Sequence, residues 1–292
     1  MTAAEGGYSI YGPRYTKNKK RDKVSQPIKL MCVLAHPDDE SLGTGGILAK
    51  YASQGVQTYL LTATRGERGW FGDPIDYPGP DVLAQTREKE LYAAAKTLGI
   101  REVEILGYHD GELDQADPKR VIGQIVSHLR RLQPHVVVTF GPDGIYGHPD
   151  HIAISQYTTA AVVAAADPTF VIDGNSNPHR VSKLYYAVST QEDMAAYQQV
   201  FGELVLNIDG EERRATSWQP WAITTWVDVA DYWQQVWRAI SCHRSQLPGY
   251  QKLKNLPPDL HKSLWEHQTF YRAYSLVNGG REIEKDLLSG LR

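Results

Sequence analysis

The sequence predicts an α/β protein: a Rossmann-like, mostly parallel sheet flanked by helices, with a C-terminal α+β cap that completes a cleft. Apolar runs alternate with helical stretches from Ile28 to about Asp167, the pattern of strands joined by crossover helices. Two of those runs lead into the same tripeptide, His36-Pro37-Asp38 and His148-Pro149-Asp150. Beyond residue 180 the alternation ends, and six of the seven tryptophans lie there.

Residues 1–27 carry six Lys or Arg against Glu5 and Asp22, a net +4 that reads as a solvated basic arm. The α/β metal-binding core is placed at 28–180, with strands at 29–35, 56–63, 102–106 and 135–140. Helices are expected at 41–54, 81–98, 118–132 and from Pro149 to about 166. In the second of these, Leu83, Arg87, Glu90, Leu91, Ala94 and Leu98 repeat at three-to-four spacing, one face of a helix. The stretch 65–80 is too long and too rich in Gly and Pro for an idle connection; Trp70, Phe71 and Tyr77 either cover a ligand or pack the loop down. Residues 181–292 are taken as a cap within the same domain, with strands at 183–189, 203–208, 223–228 and 269–277 and a helix at 230–245. A short amphipathic helix is expected from Glu282.

The 292 residues, 41% of them hydrophobic, suffice for one large core. A net charge of -3 points to neither nucleic acid nor an anionic membrane as partner. No apolar run is long enough to span a bilayer and no secretory leader is apparent, so the expectation is cytoplasmic. Cys32 and Cys242 lie far apart and imply no disulfide framework. A homo-oligomer is compatible with all of this.

The chemistry concentrates at Ala35-His36-Pro37-Asp38-Asp39-Glu40, where a strand ends and ligands bind in open α/β sheets. Imidazole and carboxylate suit a divalent metal such as zinc, whose catalytic sites usually take three protein ligands. The third should come from Tyr146-Gly147-His148-Pro149-Asp150-His151. A lone His-Pro-Asp is more often a turn with a helix cap; two of them at two strand ends favour a site.

Together these segments resemble the signature of the PIG-L/LmbE-like zinc de-N-acetylases, the family of the mycothiol- and bacillithiol-type deacetylases and amidases. The resemblance covers roughly residues 28–155, with a weaker element at Cys242-His243-Arg244-Ser245-Gln246. It implies a single zinc, with ferrous iron as the alternative, on His36, Asp39 and His151. It implies Asp38 as general base, since adjacent side chains diverge and leave Asp38 off the metal. It implies His148, one helical turn from His151, as the imidazolium that stabilises the oxyanion and protonates the amine. Asp150 would pair with His148 and raise its pKa, and Tyr146 would donate to the oxyanion. Arg87, in an Arg-x-x-Glu-Leu element, and Asp110 would bind substrate, while Glu67 has no defined role. For Arg87 the plainer reading is a helix salt bridge with Glu88 or Glu90. His243 either reaches the cleft or caps its helix.

The resemblance thus implies a hydrolase that removes an acetyl group from an N-acetylglucosamine-type small molecule, with no nucleic acid or membrane involved. The alternatives are an amidase for a larger acyl group, such as a thiol conjugate, and a non-catalytic sugar- or nucleotide-binding protein. Gly43-Thr44-Gly45-Gly46 lacks dinucleotide-binding spacing, and a phosphoesterase would need a second ligand set.

Overall fold

A computed structural model describes residues 27–172, 177–203, 205–208, 210–280 and 282–292. The basic arm expected over 1–27 therefore lies almost wholly outside the described residues. Strand β1 (Lys29–Leu34) leads through helices α1 (Asp39–Leu42) and α2 (Gly45–Ser53) to β2 (Gln57–Thr64). Then follow α3 (Pro80–Leu98), β3 (Glu102–Tyr108), α4 (Pro118–Leu132) and β4 (Val136–Phe140). A one-turn α5 (Gly144–Gly147) precedes α6 (Pro149–Ala166) and β5 (Lys183–Val188). The remainder comprises α7 (Gln191–Phe201), β6 (Val205–Ile208), β7 (Glu211–Arg214), β8 (Thr225–Asp228), α8 (Trp233–Ile240), α9 (Gln251–Lys254), α10 (Pro258–Trp265) and β9 (His267–Ser275).

Seven strands form one sheet in the order β3-β2-β1-β4-β5-β9-β8, with β6 and β7 as a separate hairpin. The first five are parallel and β9 and β8 join antiparallel. Strand β1 is apolar and buried almost throughout, as a strand covered on both faces must be. The chain builds outward from β1 to β3 and then returns to place β4 on the other side of β1. The carboxyl ends of β1 and β4 thus flank the point where strand order reverses, and loops diverge there to leave a crevice.

The core elements follow the sequence expectation closely, with α3 and α4 starting on prolines that fit a first helical turn. Three expectations need correction. The helix foreseen over 41–54 is broken into α1 and α2, because Gly43 and Thr44 interrupt it. The helix foreseen over 230–245 is regular only over Trp233–Ile240. The tail from Glu282 forms turns instead of a helix, because Leu287 and Leu288 are drawn fully into the main core. Helices α7, α9 and α10 and strand β7 have no counterpart in the sequence expectation. Among the described residues no helix is long and apolar enough to cross a membrane.

The tail is fixed by a buried charge cluster. Glu284 accepts from Lys183 Nζ at 2.7 Å, Arg272 Nη1 at 2.9 Å, Tyr185 Oη at 2.6 Å and Thr225 Oγ1 at 2.9 Å. Burial opposes its ionisation, but the lysine, the tyrosine hydroxyl and its other donors hold the carboxyl down at about 2. A carboxyl whose pKa is depressed on folding stabilises at pH values above the unfolded range, about 4.3. That contribution is lost as pH falls toward 2. Glu284→Ala leaves Lys183 and Arg272 buried without their anion and is expected to cost about 3–5 kcal/mol at neutral pH. Urea unfolding checks this, and Glu284→Gln should flatten the loss of stability between pH 5 and 2.

Candidate active site

Both histidine-bearing segments leave their strands and turn inward over the crevice. After β1, the Asp39 carboxylate folds back on its own turn, accepting from the backbone N–H of His36 at 2.7 Å and of Ala35 at 3.2 Å. Asp38 sits at φ 111°, a left-handed conformation uncommon for a side chain other than Gly. Its carboxylate oxygen Oδ2 accepts from Arg87 Nη2 and Tyr250 Oη. After β4, Gly144 (φ 64°) and Ile145 (φ 67°) turn the chain left-handed. A Cβ on Gly144 would come within 2.9 Å of Ile152. His148 then caps α6, its Nδ1 accepting the backbone N–H of Asp150 at 3.2 Å. One turn on, the buried ring of His151 stacks on Phe140 at 4.0 Å.

Donor atoms of three residues converge. His36 Nδ1 is 3.2 Å from His151 Nε2, and Asp39 meets them with different oxygens, Oδ1 3.4 Å from His151 Nε2 and Oδ2 3.7 Å from His36 Nδ1. Bonds of about 2.0–2.2 Å in a tetrahedron separate ligand atoms by roughly 3.3–3.5 Å. The expected set of His36, Asp39 and His151 therefore fits a small divalent ion. Nitrogens of His36, His148 and His151 also lie within 4.8 Å of one another, so His148 borders the same point.

Behind this set, His36 Nε2 meets Asp110 Oδ1 and Asp150 Oδ2, each at 3.1 Å. Placing the Nε2 proton on that bond leaves the Nδ1 lone pair facing Asp39 and His151, the usual support of a metal-binding histidine. Asp110 and Asp150 are themselves held by backbone N–H groups of Arg68, Gly111 and Leu113. Burial works against charging the His36 ring, but Asp110 and Asp150 outweigh it and hold its pKa well above the ordinary value. His151 is driven well below by burial and by the positive charge of His36. Burial also pushes Asp39 up to about 7 against the opposing pull of His36.

Three of the expected residues make contacts that the sequence reading does not foresee. Asp150 does not pair its carboxylate with His148, because that carboxylate is aimed at His36 and at the loop after β3. Burial and the neighbouring charge of His36 instead press His148 down to about 4. Asp110 meets His36 through Oδ1 and also lines the cleft. Arg87 is buried and spends its guanidinium on Asp38 Oδ2 at 3.2 Å, on Gly66 O at 2.6 Å and on Pro37 O. Glu88 and Glu90 bond elsewhere, to Arg65 and to Ser245. Tyr146 Oη lies 3.5 Å from His151 Nε2, and burial raises its pKa, keeping it a proton donor.

Glu40 and Tyr250 join the site without a sequence signal of their own. Glu40 Oε1 meets His243 Nε2 at 2.7 Å, and Oε2 accepts the backbone N–H of Asp38 at 3.0 Å. His243 thus braces the turn from behind and does not enter the cleft. The segment that carries it donates from Ser245 to Glu90 and from Gln246 to Gly69 O, and Tyr250 Oη donates to Asp38 Oδ2 at 3.0 Å. Its only signal in the sequence was the late element at 242–246. Glu67 accepts from His109 and from the Asp110 N–H, a scaffold role.

The cleft above the donors measures about 940 Å³, near the upper end for small-molecule sites. Of the loop aromatics, Phe71 lines it, whereas Trp70 and Tyr77 pack on each other at 6.1 Å. Of the six C-terminal tryptophans only Trp265 lines it.

Residues 31–162 match the family described as PIG-L: GlcNAc-PI de-N-acetylase. The chain is 32% identical to a 1D-myo-inositol 2-acetamido-2-deoxy-alpha-D-glucopyranoside deacetylase from Actinosynnema mirum, over 92% of this chain and 99% of that one. An enzyme of the same name from Kineococcus radiotolerans is 37% identical over 58% of this chain and 54% of that one. A mycothiol S-conjugate amidase from Streptomyces coelicolor is 28% identical over 92% and 99%. Among solved structures, the conserved protein TT1542 from Thermus thermophilus superposes with a TM-score of 0.61 at 26% identity, covering 86% of this chain and 97% of that one. An N,N'-diacetylchitobiose deacetylase from Pyrococcus horikoshii shares the fold, with a TM-score of 0.62 at 23% identity over 84% and 83%.

If His36 is held by Asp110 as described, Asp110→Asn should weaken Zn²⁺ binding about 10–100-fold, measured by competition with a chromogenic chelator. His151→Ala should lose stoichiometric binding. Unchanged affinity in Asp110→Asn would remove that residue from the support of the ligand set.

Proposed function

The chain belongs to the PIG-L family of de-N-acetylases, and from that premise we propose that it is a metal-dependent hydrolase removing the acetyl group of an N-acetylglucosamine-type amino sugar derivative. The observation that carries this reading is the convergence of His36 Nδ1, Asp39 and His151 Nε2 within 3.2–3.7 Å, with Asp38 beside them and not needed for ligation.

His36, Asp39 and His151 would hold the ion. When bound, zinc or ferrous iron supplies a Lewis acid and lowers the pKa of water to roughly 7. Asp38 takes the proton of the attacking water as its oxygen bonds to the amide carbon. His148 is neutral, and because Nδ1 accepts the α6 amide, its proton resides on Nε2, where it can donate to the developing oxyanion. Tyr146, kept protonated, is a second donor at that position. As the carbon–nitrogen bond breaks, Asp38 returns the proton to the leaving amine, so base and acid are one group. Asp150 and Asp110 act through His36, and Arg87 acts through Asp38.

An amidase for a larger acyl group is the second reading. The 940 Å³ cleft, more than an acetylated monosaccharide needs, favours it, as does the full-length similarity to the S. coelicolor amidase.

Amine release from N-acetylglucosamine derivatives should vanish on chelation and return with Zn²⁺. Asp38→Ala should lower kcat about 10²–10⁴-fold with zinc still bound, measured by fluorescamine and metal analysis in parallel. Zinc-loaded protein inactive on every acetylated sugar but active on longer N-acyl derivatives would establish the second reading instead.

A further inference from the structure

We propose that Tyr250 is a positioning residue for Asp38: its hydroxyl, together with Arg87, pins one carboxylate oxygen so that the other is presented to the cleft. The inference rests on the assignment of Asp38 as general base. Tyr250 Oη and Arg87 Nη2 both donate to the same oxygen, Oδ2, at 3.0 and 3.2 Å. The Asp38 side chain keeps 12% of its surface exposed and lines the cleft, so Oδ1 is the oxygen left to meet water. The last torsion of an aspartate is broad and roughly two-fold. One donor leaves the carboxylate free to rock about its bond, whereas a second donor from another direction fixes its plane. A base must lie within hydrogen-bond reach of the proton it takes, so that plane decides which rotational states are productive.

The path by which Tyr250 arrives supports this. It stands 212 residues from Asp38, on a turn over Leu247–Tyr250 that follows three anchors in succession. His243 bonds Glu40, Ser245 bonds Glu90 and Gln246 bonds Gly69 O. The first of these ends on the carboxylate that also holds the Asp38 N–H, so one segment fixes both the backbone and the side chain of Asp38. Next to Tyr250, a Cβ on Gly249 would approach the Phe71 ring to 2.9 Å. The glycine therefore lets Phe71 lie on the turn, 6.2 Å between ring centroids from Tyr250. Half of the Phe71 surface is exposed, so the 65–80 loop places a partly exposed ring against the turn that carries Tyr250.

The rival account is that Tyr250 only fills the small apolar cluster it packs against, its hydroxyl bonding whatever acceptor is near. Tyr250→Phe separates the two, since it keeps the ring and removes the donor. In the zinc-loaded full chain, kcat for amine release should fall roughly 10–100-fold, the scale of a hydrogen bond to a charged group. KM, zinc stoichiometry and melting temperature should stay unchanged, and in the Asp38→Ala background the same substitution should have no further effect. Crystal structures of zinc-loaded wild type and variant should show the Asp38 carboxylate rotated in the variant alone. Wild-type kcat in Tyr250→Phe, or an Asp38 carboxylate that has not moved, overturns the proposal. If the wild type releases amine from no substrate, the deacetylase reading fails separately, and the crystallographic orientation of Asp38 still decides the role of Tyr250.

Discussion

The rest of the structure depends on the clamping of one buried imidazole. The ring of His36 is engaged at both nitrogens: Nε2 by Asp110 and Asp150, Nδ1 by the neighbourhood of Asp39 and His151. Those partners come from the turns after β1 and β3 and from the first turn of α6. A single side chain therefore ties together loops that the sheet alone would only bring near each other. Several charged and polar groups are removed from water here, and such burial is tolerated only where partners are complete. Backbone N–H groups from three loop residues complete them. The result is a set of side chains held in place by the fold itself.

The parallel half of the molecule was legible because its strands are continuous apolar runs and its helices carry clear caps. The boundaries of α3, α4 and α6 follow from Pro80, Pro118 and Pro149 at their first turns. The donor residues were legible from their chemistry and from their place at two strand ends. Their partners were not. Asp150 lies two residues from His148 in sequence, yet the partner of its carboxylate is set by the packing of the loop after β3. Arg87 lies on the inward stripe of α3, but which carboxylate it meets depends on the left-handed turn at Asp38, a backbone feature that residue types do not announce. The tail was misjudged for a similar reason: spacing compatible with a helix was overruled by Leu287, Leu288 and Glu284, which find better partners inside the core.

The site also shows why residues beyond 180 belong with the chemistry. Strands β9 and β8 extend the same sheet, and the turn after α8 supplies contacts to Glu40, Glu90, Gly69 and Asp38. The converging donor atoms of His36, Asp39 and His151 come from the first half of the chain, whereas much of the bracing around Asp38 comes from the second. Division of labour of this kind lets the wall of the cleft vary while the donor geometry stays put, as relatives with differently named substrates would require.

One feature of the topology bears on how the chain folds. Strand β9 lies between β5 and β8, although β8 precedes it by some forty residues. Until β9 is laid down, β8 has no place in the sheet and β5 is an open edge, a template for pairing with another chain. Lys183, on that edge, would meanwhile lack the anion that Glu284 later brings. These contacts are long-range and close late, so during synthesis the parallel half can form first and wait with a sticky, charged margin.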